Sequence, residues 1–281
     1  MRKFALHGEE FARWRWWMVV GVSCLSVGLG LSVAGCAPKR EPLTSPQRAA
    51  IYERAGLYLT NVALLKPLEA GFTNTLAFKL APLLIQELAE SNAAPANLVL
   101  YFEESAIAFN GRTRSQVTYH WTVSDTAASR AGGVASQSIR ITLDSAGAPV
   151  IWEVLKDDSG GELFFVAQSL EAEARRAFGP PLPERRFAIE RGLDTAPDAI
   201  VARVIEDGPV PMGPILHLQA RRRNVSTLIC RCMPTQAYNL LSTETYELRP
   251  VVDLESRPNF GRPGESAAAR LERCLRLPAT F

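Results

Sequence analysis

Four residues in the carboxy-terminal half have the types and spacing that come closest to chemistry: Cys230, Cys232, Cys274 and His217. Cys230 and Cys232 stand two apart in an apolar stretch, 225–232, that reads as a strand, so with Leu228 they share one face. Cys274 falls on the apolar side of a closing helix over 265–275. Three chemistries fit these positions. If the helix covers the strand, Cys274 can pair with either strand cysteine, closing a loop of about 40 residues for roughly 3–4 kcal/mol in the chain-entropy account. The same thiols can instead be buried as small hydrophobes. Together with His217 they offer three sulfurs and one nitrogen, a zinc-like donor set, although common zinc motifs space their ligands more widely than Cys-x-Cys.

The other candidates carry less. His120 sits between Thr118 and Thr122 on the polar side of its stretch, the position of an ordinary surface or satisfied histidine. Asp158-Ser159-Gly160-Gly161 is similar to the nucleophile segment of chymotrypsin-like proteases in four letters only. No upstream histidine lies in a matching motif, and those residues are what a hairpin loop needs. Glu103-Glu104 and Asp157-Asp158 are adjacent pairs, and neighbours on a strand point to opposite faces, so neither forms a carboxylate dyad. No phosphate-cradling loop is present and no motif calls for a cofactor.

Positioning these residues requires a fold. Ser45-Pro46 reads as the start of a helix running to Leu59, and a second helix is expected over 72–90, interrupted by Pro82. From Asn97 the period changes to two. Strands are expected at 98–102 and 107–109, then, after the Asn110-Gly111 turn signal, along Val117, Tyr119, Trp121 and Val123 with a solvent-facing polar side. Ile139 to Leu143, Val150 to Val154 and Leu163 to Val166 follow, joined by Asp144–Gly147 and Asp157–Gly161 hairpins. A helix over 169–178 ends at Gly179. Beyond it, 187–189, 200–205, 215–218 and 225–232 read as strands before the closing helix. This order spells an α+β fold, an antiparallel β-meander packed with helices in two layers. The aromatics concentrated in the meander pack a core, or line an apolar pocket in a curved sheet.

The amino terminus says where such a domain works. Arg2, Lys3, Arg13 and Arg15 precede a charge-free run from Trp16 to Gly35, which ends in Leu31-Ser32-Val33-Ala34-Gly35-Cys36. An apolar run enters the bilayer while the basic residues stay on the cytoplasmic side. Small residues directly before a cysteine, after such a run, resemble the lipobox of bacterial lipoprotein precursors. The resemblance covers residues 1–36. It implies that 1–35 is a removed signal peptide, that Cys36 is acylated (palmitate among the chains) and that 36–46 is a lipidated tether. Residues 47–281 then form one domain, with 180–183 as the place for a subdivision. An uncleaved anchor is the alternative, since 20 residues suffice to span a bilayer, and it leaves the domain on the same side. By the same resemblance, Ala37 rather than Asp implies release to the outer membrane where an envelope has two.

Of the 31 basic and 29 acidic residues, four and two lie in 1–35, which leaves 27 of each. A balanced surface gives no electrostatic reason to bind nucleic acid. The sequence therefore points to a membrane-anchored envelope protein with a non-enzymatic binding or structural role. A metal-binding or enzymatic protein built on the three cysteines and His217, and a carrier of apolar ligands, are the alternatives.

Overall fold

The computed structural model describes residues 62–68, 74–87, 98–123, 135–155, 162–208, 212–218, 225–229, 243–254 and 264–281. All belong to the compact unit Pro42–Phe281. The expected leader and tether, the helix at 45–59, the 157–161 loop and residues 230–232 lie outside them.

Among the described residues eleven strands make one curled, mixed sheet: β1 (Val62–Pro67), β2 (Leu83–Glu87), β3 (Val99–Phe109), β4 (Arg112–Val123), β5 (Ala135–Leu143), β6 (Pro149–Val154), β7 (Glu162–Ala167), β8 (Ala199–Ile205), β9 (Ile215–Leu218), β10 (Val225–Ile229) and β11 (Thr243–Pro250). Their order is β10-β9-β2-β1-β11-β3-β4-β5-β6-β7-β8. Among the described residues three short α-helices accompany them: α1 (Leu76–Lys79), α2 (Gln168–Phe178) and α3 (Ala267–Cys274).

This corrects the expected α+β architecture of a meander packed with helices in two layers. The meander is real between β3 and β7, whose successive pairs are all antiparallel. It is embedded, however, in a sheet in which β1–β11, β11–β3, β2–β9 and β7–β8 pair in parallel. The helix expected over 72–90 is the main source of the error. Among the described residues of that span only α1 is helical, because Pro82 lacks an N–H and its ring clashes with the preceding turn. Beyond it Leu83 and Leu84 are both fully buried, one on each face of β2. A strand covered on both sides loses its alternation, so its apolar run imitates a helical stripe. The two short strands expected at 98–102 and 107–109 are one eleven-residue strand, β3. Phe187 to Ile189 forms no strand. The amides of Ala188 and Ile189 donate instead to the Glu171 carboxylate, and those of Arg186 and Phe187 to Glu190.

Where the local signal is strong, expectation and structure agree. Asn110 (φ 49°) and Gly111 (φ 72°) make a two-residue turn closing Phe109 against Arg112. Asp144 Oδ1 accepts from the amides of Ala146 and Ala148, an Asx turn into β6. The closing helix is also present, starting at Ala267 rather than at 265 because Ser266 caps it, accepting from Ala269 N at 3.1 Å.

Register continues one apolar face across most of the sheet. Leu65 faces Leu84, Leu84 faces Leu216, Leu248 faces Leu100, Tyr119 faces Ile139 and Ile141 faces Trp152. The segment around α1 lies on this face and is pinned there by two phenols. Tyr119 on β4 donates to the Ala77 carbonyl at 2.6 Å, and Tyr246 on β11 donates to that of Pro82 at 2.7 Å. At the other end of the sheet, α2, α3 and the chain terminus cover the opposite face, contributing Leu170, Ala174, Leu271, Leu275 and Phe281 to the core.

Candidate functional site

The face opposite Tyr119 and Trp121 is polar, and it is not solvated as the alternation of β4 suggests. Gln116, Thr118 and His120 are all buried. The closing helix and terminus lie along part of this face. Arg112 donates to the Thr280 carbonyl at 2.6 Å, and the Phe281 ring packs edge-on against Phe109 with the Arg114 guanidinium over it.

Hydrogen-bond register lines up a row across four strands. Glu103 on β3 faces Thr118 on β4, Thr118 faces Arg140 on β5, and Arg140 faces Glu153 on β6. Beside it run Ser105, Gln116 and Thr142. Gln116 Nε2 donates to Thr142 Oγ1 at 2.8 Å, and Arg140 Nε to Thr118 Oγ1 at 3.4 Å. Between these strands and the first residues of α3 opens a cleft of about 450 Å³, walled by the polar Glu103, Ser105, Gln116, Thr118, Arg140 and Ser266 together with alanines of β3 and α3 and Ile107.

Behind the cleft lies a chain of charges. Glu153 is fully buried between Arg140 (3.7 Å) and Arg270 of α3 (3.4 Å), and neither carboxylate oxygen has a hydrogen-bond partner. Burial raises its pKa above the usual carboxylate range, against the pull of the two guanidinium groups. Arg273 donates to Glu162 and to Glu265, both at 2.7 Å. The strand row is thereby connected to α3 through alternating charges.

Cys274 lies on the buried side of α3, as its helical phase indicates, with a free thiol whose Sγ donates to Glu162 Oε2. Desolvation first, and then that contact, push the thiol pKa up, so it stays protonated and unreactive. Cys36, Cys230 and Cys232 lie outside the described residues, so the pairing and the zinc-like set are not brought together. Among the described residues no group of three His, Cys, Asp or Glu side chains is placed to hold a metal. His217 is on the face opposite Leu216 and Leu218, as expected, and is buried. Its Nδ1 lacks a partner, as does Oγ1 of Thr227 directly across on β10. Burial, then the charge of Arg203, lowers its pKa to about 4, which keeps it neutral. His120 Nδ1 shares a 2.7 Å hydrogen bond with Ser138 Oγ. Glu103 and Glu104 do diverge: the first walls the cleft, the second accepts from Ala77 N at 2.8 Å.

Sequence reasoning passed over Arg140, Glu153, Arg270 and Arg185. The available signal was a single charge set between apolar neighbours, as in Ile139-Arg140-Ile141 and Trp152-Glu153-Val154. That places each on the face opposite those neighbours, but only strand register puts them side by side. Arg185 is buried and donates to the carbonyls of Ala199 (2.6 Å) and Ala196 (2.5 Å), organising the irregular 179–198 segment.

Fold and cleft together define a mostly-β, half-barrel protein with a polar cleft under its last helix. No family profile, curated protein or solved structure matches the chain.

Proposed function

We propose that the chain is a lipid-anchored protein of the cell envelope whose domain binds a small polar ligand in the cleft, without turnover. Where the envelope has two membranes, Ala37 favours the outer one. The observation that carries the address is Leu31-Ser32-Val33-Ala34-Gly35-Cys36 at the end of an apolar run, ahead of a proline-punctuated tether. The cleft supports the binding half. Its walls offer hydroxyl, amide, carboxylate and guanidinium groups, and among its described wall residues no histidine or cysteine stands beside a hydroxyl to activate it. A carrier of apolar ligands is less well supported, because Tyr119, Trp121, Tyr246 and α1 fill the apolar face from within the chain.

Expressing the full chain in a bacterium fed labelled palmitate tests the address. The expected result is label in the membrane fraction, lost with Cys36→Ala. Uncut, unlabelled protein in the cytosol would overturn it.

A further inference from the structure

β3 outruns one of its neighbours. β11 pairs with it only along Val99–Phe102 and ends there at Pro250, while β3 continues to Phe109 against β4 alone. The two-residue turn at Asn110-Gly111 makes Phe109 and Arg112 a hydrogen-bonded pair, and such pairs alternate along an antiparallel ladder. Ser105 and Ile107 therefore spend their backbone groups on β4, and Glu104, Ala106 and Ala108 turn theirs the other way. The same phase brings the Leu98 carbonyl to Glu247 N on β11, at 3.1 Å. Among the described residues no strand replaces β11 beyond Phe102, and Glu104, Ala106 and Ala108 are exposed.

Native proteins blunt such edges with proline, lysine or a bulge. None stands here. Ser105, Ala106 and Ala108 are small and neutral, and the Glu104 carboxylate is turned to α1, accepting from Ala77 N at 2.8 Å. Ser105, Ala106, Ile107 and Ala108 all line the cleft. Consecutive residues point to opposite faces, so the cleft opens along the edge of β3 as well as over its polar face. Ser266, Ala267 and Ala268 across it are small too, and leave room for a chain to reach the edge.

We infer that a short extended peptide segment of a partner protein adds to this edge as a strand, in the place that β11 vacates. Its main chain pairs with the outward N–H and C=O groups of Glu104, Ala106 and Ala108, the mode of recognition in which backbone hydrogen bonds carry the affinity. About five residues, at about 3.3 Å each, cover that stretch. A narrow segment reaches an edge recessed between α1 and the start of α3. A second copy, with its own edge recessed in the same way, does not.

The inference rests on the cleft being a binding site, and two measurements on the full chain in detergent separate the ideas. The probes are the capped pentapeptide Thr-Val-Thr-Val-Thr, a capped Thr-Pro-Pro-Pro-Thr that lacks the inner donors, and glucose. In calorimetry the first should bind, and the second about tenfold or more weakly, as expected for lost main-chain hydrogen bonds. Without peptide, the amides of Ala106 and Ala108 should exchange much faster than those of Ser105 and Ile107. With the first peptide at about ten times its Kd they should slow about tenfold. Ala106→Pro removes an outward N–H and none that β4 uses, so it should keep the fold and weaken the first peptide about tenfold. Should that variant unfold, the proline peptide on the unaltered chain decides. Protection of Ala106 and Ala108 before peptide is added would show the edge already taken, by the chain itself or a second copy, and overturn the inference. Equal binding of the two peptides, peptide binding that leaves those amides fast, or binding of glucose alone would overturn the added strand and leave a binding site standing. Binding of none of the three overturns the inference and counts against the site itself.

Discussion

Arg270 on α3 holds its Nε 3.4 Å from Oε1 of Glu153 on β6, and both side chains are almost sealed from water. The carboxylate was taken out of water without a single hydrogen bond in return. Such a pair contributes little net stability, but each partner strands a charge when the other is removed.

Glu153→Leu or Arg270→Met alone should therefore destabilise the protein, by about 3–5 kcal/mol where the remaining charge has no second partner. Arg270 also lies 3.8 Å from Glu162 and Glu153 also lies 3.7 Å from Arg140, so both single variants should fall at or below the lower end of that range. The double variant should cost clearly less than the sum of the two, a coupling of about 1–3 kcal/mol in urea unfolding. Additive losses would show that the two groups do not sense each other.

His217 sets a dependence on acid. Its folded pKa lies at about 4 while an exposed histidine titrates near 6.5. Above pH 6.5 neither state is protonated there and the group adds no penalty. As pH falls from about 6.5 towards about 4 the unfolded chain takes up the proton first, so stability drops, by at most about 3 kcal/mol. His217→Leu should flatten that part of the profile and cost little at pH 8, since the orphaned Nδ1 disappears with it. An unchanged slope between pH 6.5 and 4 would refute this.

Gly213 marks where β9 begins against α1. A Cβ there would collide with the carbonyl oxygens of Leu80 and Ala81, which are backbone and cannot rotate away. The neighbouring Pro214 carbonyl accepts from Leu83 N at 2.9 Å and starts the parallel β2–β9 pair. Gly213→Ala should lower stability by about 2 kcal/mol or more, with amide exchange accelerated first at Leu83 to Gln86. A variant as stable as the parent would mean this approach is looser than drawn.

The sequence carried the local grammar. Turn chemistry at Asn110-Gly111 and Asp144, the stop at Gly179 and the alternation of β4 and β5 each depend on residues a few positions apart, and all reappear in the structure. Glu103 and Glu104 could be assigned to opposite faces for the same reason. The lipobox-like stretch is equally local and can be read without a fold.

Tertiary structure alone decided the rest. β1 and β2 read poorly because strands covered on both sides carry no alternation, whereas β11 alternates, Tyr246 and Leu248 in and Glu247 and Arg249 out, but reaches its neighbours only by parallel pairing with chain far away. No residue near Arg140 announces Glu153, Glu103 or Arg270. Register and the docking of α3 bring them together, burying the face that β4 seemed to turn to water. Alternation says which side of a strand a residue takes; what covers that side is a property of the assembled chain.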